Sequence, residues 1–131
     1  MEFACVFPGQ GSQSVGMVND LAESFPVVKE CYQEASEAIE SDLWQLVQAG
    51  PAELLNQTQN TQPGMLAASY AIWNIWQQSV SSSPSVFAGH SFGEVSALTC
   101  AQAISFPQAI KLAHTRGQLM QAAVPEGVGT M

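Results

Sequence analysis

The segment Gly89-His90-Ser91-Phe92-Gly93 places a serine midway between two glycines. That spacing is the G-x-S-x-G pattern of a nucleophile elbow, which requires a strand before it and a helix after it. Both are legible: Val86-Phe87-Ala88 is a short apolar strand, and a helical pattern runs from Gly93 through Ala101. In such a turn the serine occupies a tight, strained conformation, and the flanking glycines remove side chains that would collide. The helix N-terminus then offers free N–H groups and the positive end of its dipole, which also favours Glu94 in the first turn. The plainer alternative is a small-residue turn carrying an idle serine. A nucleophilic serine needs a base, and the two histidines are poorly placed for it. His90 adjoins the serine and should point elsewhere, while His114 lies on a helix as a surface or half-buried residue.

Two further features suit the same chemistry. Phe7-Pro8-Gly9-Gln10-Gly11-Ser12-Gln13 follows the first strand. Parallel strands bring their C-terminal ends to one edge, where ligands bind, so the glycines free the backbone to aim the Gln10 N–H inward. With the N–H of Phe92 it would supply the two donors of an oxyanion hole. An ordinary Gly-rich turn is the alternative, and a phosphate loop is disfavoured because no GK[ST] follows. Arg116, the only arginine, lies on a helix beside Gly117. It suits a bidentate grip on a carboxylate or, more plainly, a salt bridge to one of the eleven acidic residues.

The elements that must position these residues read as follows. Phe3–Phe7 is a continuous apolar run ended by Pro8-Gly9, expected as a strand buried on both faces. A short helix is expected around Met17–Ala22. Ser24 is expected to cap the next helix, with Pro26 in its first turn, and Val28, Cys31, Tyr32, Ala35, Ala38 and Ile39 on its inner face. Asp42–Val47 reads as a shorter helix ending at Gly50-Pro51, and Ala52–Leu55 as another turn. Asn56–Gln62 reads as a polar loop, with Pro63 opening a long helix that aligns Leu66, Tyr70, Trp73 and Trp76. Ser81–Pro84 breaks the chain before the second strand, and Phe106–Gln121 forms the last helix, with Ile110, Ala113, Gly117 and Met120 available for packing. Strands separated by helices, without hairpin signals, predict an α/β chain with a parallel sheet flanked by helices. Two strands are few for such a sheet.

Composition bounds the function classes. The 131 residues are 47% hydrophobic and 11% charged, which excludes disorder. Three Lys and Arg against eleven Asp and Glu give a formal charge of −8, so no basic footprint for nucleic acid or an anionic membrane exists. No apolar run is long enough to span a bilayer. Met1-Glu2-Phe3-Ala4-Cys5 lacks a basic, then apolar, secretory pattern. Cys5, Cys31 and Cys100 lack disulfide or zinc spacing and read as reduced core residues. A cytoplasmic location and no metal site are expected.

Together these residues resemble the malonyl-CoA:acyl-carrier-protein transacylases of bacterial fatty acid synthesis and, more loosely, the acyltransferase domains of polyketide synthases. The resemblance rests on Phe7–Gln13, Asn60-Thr61-Gln62-Pro63, Gly89–Glu94 with Ser96-Ala97-Leu98, Arg116-Gly117, and Ala123-Val124-Pro125-Glu126-Gly127. It implies an α/β-hydrolase-like large subdomain, with residues 1–131 as one partial domain ending near the start of a small ferredoxin-like subdomain. Ser91 would be the nucleophile, Gln10 and Phe92 the oxyanion hole, Arg116 the partner of the malonyl carboxylate, and Gln62 part of the pocket lining. Malonyl-CoA would be the substrate and acyl carrier protein the partner, with no cofactor beyond the phosphopantetheine that the partner carries. Phe92 stands where the family more often has Leu and Val95 where it often has Tyr, and the former is expected to reshape the pocket wall.

The resemblance also implies that the family's catalytic histidine lies beyond Met131, so the 131 residues alone are expected to be inactive or nearly so. Exposed sheet edges and apolar surface are expected, with self-association as a consequence. Two other readings fit the elbow: a serine hydrolase or thioesterase of the α/β-hydrolase type, and a truncated domain without catalytic function.

Overall fold

A computed structural model describes residues 2–125 and 127–129. Strand β1 (Ala4–Phe7) is followed by helices α1 (Asn19–Ser24), α2 (Val27–Ile39), α3 (Leu43–Ala49), α4 (Ala52–Leu55) and α5 (Thr58–Ser79). Strand β2 (Val86–Gly89) and helices α6 (Gly93–Cys100) and α7 (Phe106–Ala123) complete the order. The strands pair in parallel, from Ala4 opposite Val86 to Phe7 opposite Gly89. This is the expected parallel sheet flanked by helices, reached through a long helical crossover.

Helix α5 is the hub, touching α2, α3, α4, α6 and α7. Its small residues Gly64, Ala67, Ala68 and Ala71 are buried and admit close neighbours. Leu66 lies in one core with Val28, Tyr32, Leu43, Val47, Leu55 and Ile110. The buried Tyr32 hydroxyl donates to the Gly64 carbonyl at 2.9 Å, which offsets the cost of enclosing a polar group there. Tyr70 of α5 stacks on Phe106 of α7, with ring centroids 4.3 Å apart.

The sheet departs from expectation. One face packs Phe7 and Phe87 against Trp73, Ala97 and Cys100. On the other face Val6 is 70% exposed and Val86 55% exposed. Among the described residues the strands are therefore covered on one face only. The expected apolar exposure is present. Cys31 and Cys100 are buried, whereas Cys5 is only half-buried.

Other corrections concern helix starts. The long helix begins at Thr58, so Pro63 lies inside it and most of the expected polar loop is helical. Proline is costly there because it withholds an N–H from the carbonyl four residues back, that of Gln59, which lies 3.0 Å from His114 Nδ1 of α7. Ser24 ends α1 instead of capping α2, whose N-cap is Pro26 without a side-chain bond. Asp42 does cap α3, accepting from the Gln45 N–H at 2.9 Å. Of the residues expected along one face of the long helix, Trp73 is buried and Trp76 is 42% exposed. No helix among the described residues is long and apolar enough to cross a membrane.

Helix α6 sits directly over the strand ends, and two glycines make this possible. A Cβ on Gly89 would lie 2.0 Å from the Gly93 carbonyl carbon and oxygen. One on Gly93 would lie 2.6 Å from the carbonyl oxygens of Phe7 and Pro8. Those neighbours are backbone and cannot swing aside. Gly93→Ala is therefore expected to lower the free energy of unfolding by more than about 2 kcal/mol in urea titrations. Alanine normally favours a helix over glycine by about 1 kcal/mol, so a stabilised variant would contradict this packing.

Candidate active site

The register of the sheet fixes the site. Phe7 and Gly89 are partners at the C-terminal edge, and the His90 N–H donates to the Phe7 carbonyl at 3.1 Å. The loop after β1 and the turn after β2 therefore leave the sheet side by side. Gly9 lies so close to the His90 ring that a Cβ there would be 2.8 Å from Nδ1. Ser91 has φ 55°, a left-handed conformation that non-glycine residues rarely adopt. Gly93 donates to the His90 carbonyl and Glu94 to the Ser91 carbonyl, closing the turn into α6. Ser91 is exposed while Phe92 and Gly93 are buried, so the turn lifts the hydroxyl out of the sheet. This is the strained elbow expected from the spacing.

Among the described residues, neither the Gln10 nor the Phe92 N–H donates a hydrogen bond within the chain. Unpaired N–H groups beside an elbow are what an oxyanion hole requires. The Phe92 ring does not form the pocket wall as expected. It is 1% exposed and joins the helical core, because this position is on the inward side of α6. The Gln10 side chain donates from Nε2 to Thr58 Oγ1 at 3.3 Å, and its Oε1 is buried without a partner.

Helix α7 completes the group. Gly117 allows the close approach: a Cβ there would meet Gln59 Cα at 2.5 Å and the Thr58 carbonyl at 2.6 Å. Contact at that point brings Arg116 onto the buried Gln62. Arg116 Nη1 donates to Gln62 Oε1 at 3.0 Å, and Nη2 donates to Ser91 Oγ at 3.3 Å. The arginine and the serine, 25 positions apart in the chain, are thus in direct contact, and Gln62 joins them. One Arg116 nitrogen is held by protein while the other faces the serine, an arrangement suited to a short anionic group placed between them.

Sequence reasoning missed Met120 as a site residue, assigning it to packing. Its Sδ lies 3.1 Å from Arg116 Nη1 and 3.3 Å from Gln62 Nε2. Its spacing of one turn from Arg116 is the signal that could have found it. A cleft of about 660 Å³ opens beside this group, bounded by Gln10, Gly11, Thr58, Met120, Gln121 and Pro125. Glu126, within the Ala123–Gly127 segment singled out above, lies outside the described residues.

Neither histidine serves Ser91. His90 is exposed and packs at Gly9, while His114 Nδ1 bonds the Gln59 carbonyl at 3.0 Å. Nor is a thiol poised to compete as nucleophile. Burial pushes Cys31 up to about 11 and Cys100 up to about 12, and it raises Cys5 as well.

Comparison with known proteins gives one consistent answer. Residues 4–130 match the model of the acyl transferase domain. The malonyl CoA-acyl carrier protein transacylase of Salmonella typhimurium is 55% identical over 130 residues, covering 99% of this chain and 42% of the relative. The enzyme of the same name from Haemophilus influenzae is 57% identical over 131 residues, again covering 99% of this chain and 42% of the relative. A crystal structure of an acyl carrier protein S-malonyltransferase from Vibrio cholerae superposes with TM-score 0.92 at 63% identity, over 97% of this chain and 42% of that one. A malonyl-transacylase solved with a type II polyketide acyl-carrier protein superposes with TM-score 0.93 at 60% identity, over 97% of this chain and 41% of that one. The chain thus spans about 42% of the length of these curated relatives. With an elbow whose serine lies beside an arginine, and with a family match along nearly its whole length, the chain belongs to the acyl transferase domain family.

Proposed function

We propose that this chain carries the nucleophile and the acyl-binding half of a malonyl transferase, acting between malonyl-CoA and the phosphopantetheine thiol of an acyl carrier protein in fatty acid biosynthesis. Ser91 Oγ attacks the thioester carbonyl, giving its proton to a base, and negative charge develops on the carbonyl oxygen. The N–H groups of Gln10 and Phe92 stabilise that charge without reorganising. The C–S bond then breaks, the CoA sulfur leaves and takes up a proton, and malonyl remains on Ser91 as an ester. The carrier thiol attacks that ester in turn, and Ser91 regains its hydrogen. The scheme is ping-pong and needs no resident cofactor.

The observation that carries this reading is the 3.3 Å contact between Arg116 Nη2 and Ser91 Oγ, with Nη1 fixed by Gln62. The malonyl carboxylate is one methylene away from the carbonyl that Ser91 attacks. A cation this near the nucleophile can hold the acid while the carbonyl is under attack. An esterase or thioesterase acting on neutral acyl groups has no use for such a grip. The names of the relatives, and the carrier protein bound to one of them, support the same assignment.

Each charge-assisted hydrogen bond contributes about 1.5–3 kcal/mol. Arg116→Ala should therefore weaken malonyl-CoA binding roughly 10- to 100-fold while leaving acetyl-CoA binding unchanged, as measured by calorimetry. Equal losses for both thioesters would contradict the grip.

No histidine of the chain bonds Ser91, so the base comes from outside the described residues. Turnover by the 131-residue chain with malonyl-CoA and holo carrier protein should accordingly stay near background, unchanged by Ser91→Ala. A rate like that of the longer relatives, abolished by Ser91→Ala, would place the base within this chain. Thioester hydrolysis insensitive to added thiol would favour the hydrolase instead.

A further inference from the structure

Pro63 stands inside α5, where its ring nitrogen has no hydrogen to give the Gln59 carbonyl one turn earlier. His114 of α7 fills that place, with Nδ1 3.0 Å from the Gln59 oxygen. A carbonyl only accepts, so Nδ1 carries the hydrogen and neutral His114 is held in its Nδ1–H form. Two neighbours on the same face of α7 act on the same turn of α5. Gly117 seats against the backbone of Gln59, and Gln121 Oε1 accepts from the Thr58 N–H at 3.2 Å. That last bond satisfies one of the orphan donors at the start of α5.

We propose that His114 is a positioning residue. By replacing the N–H that Pro63 lacks, it sets the register of α7 on α5 and so places Arg116 between Gln62 and Ser91. His114, Gly117 and Gln121 clamp the helices, while Arg116 of the same helix reaches Ser91 and Met120 reaches Gln62. Only the functional consequence of this proposal rests on reading Arg116 as the carboxylate grip.

Three measurements test it. In the unaltered chain, long-range proton–nitrogen NMR of neutral His114 should find hydrogen on Nδ1 and a lone pair on Nε2; the opposite tautomer would overturn the proposal. Stability gives the second. His114→Ala should lower the folding equilibrium constant roughly three- to tenfold, and His114→Asn, which keeps a donor near the Nδ1 position, should recover most of the loss. In a Pro63→Ala background residue 63 again has an N–H for Gln59, so His114→Ala should then cost less than about twofold. Equal costs in both backgrounds would mean that His114 acts through packing alone, and would overturn the proposal even if His114→Ala alone folds poorly.

The third is binding. His114→Ala should reduce the preference for malonyl-CoA over acetyl-CoA several-fold, and His114→Asn should restore it. An unchanged preference would overturn the positioning role. Absence of any preference in the unaltered chain would instead overturn the grip, leaving the tautomer and the Pro63 background to decide the clamp.

Discussion

The site depends on how closely α7 can approach the first turn of α5. Gly117 sits where any side chain would strike the backbone of Thr58 and Gln59. Without that contact Arg116 would stand off by the thickness of a side chain, and its two short bonds, to Gln62 and to Ser91, could not form together. The sheet imposes the complementary constraint. Because Phe7 pairs with Gly89, the loop bearing Gln10 and the turn bearing Ser91 must emerge together. A helix-to-helix contact and a strand register thus together determine where Arg116 meets Ser91.

The site also explains several local irregularities. Ser91 in the left-handed region, glycines packed against carbonyls, and a proline within a helix each carry a cost in isolation. Each is offset by a neighbouring element: α6 bonds back to the elbow, and α7 supplies the donor that Pro63 withholds. Strain of this kind is sustained where the surroundings over-determine it.

Much of this was legible in the residues themselves. The elbow announced itself because glycine–serine–glycine spacing between a strand and a helix has a steric reason that reads directly from the chain. The unpaired N–H groups of Gln10 and Phe92 could be anticipated because they are backbone groups, which depend on position more than on side chain. Arg116 was recognisable as the only arginine, but its nearness to Ser91 was not, since that follows from how α7 crosses α5. Met120 was read as a packing residue and His114 as a surface or half-buried one; His114 is half-buried, but its contact with Gln59 and that of Met120 with Gln62 span 55 and 58 positions and could not be read locally. The start of α5 was misplaced because Pro63 reads locally as a helix opener, and the donor that lets it stand inside the helix comes from elsewhere. The open sheet face was anticipated as exposed apolar surface, although the strand at Phe3–Phe7 read as buried on both sides.

The most direct test of the central claim is a crystal structure of the chain with malonyl-CoA bound. The carboxylate should lie on the Arg116 guanidinium. The thioester oxygen should lie about 3 Å from the N–H groups of both Gln10 and Phe92, with its carbon facing Ser91 Oγ. A malonyl group bound with its carboxylate away from Arg116, or with its carbonyl out of reach of those two amides, would contradict the account.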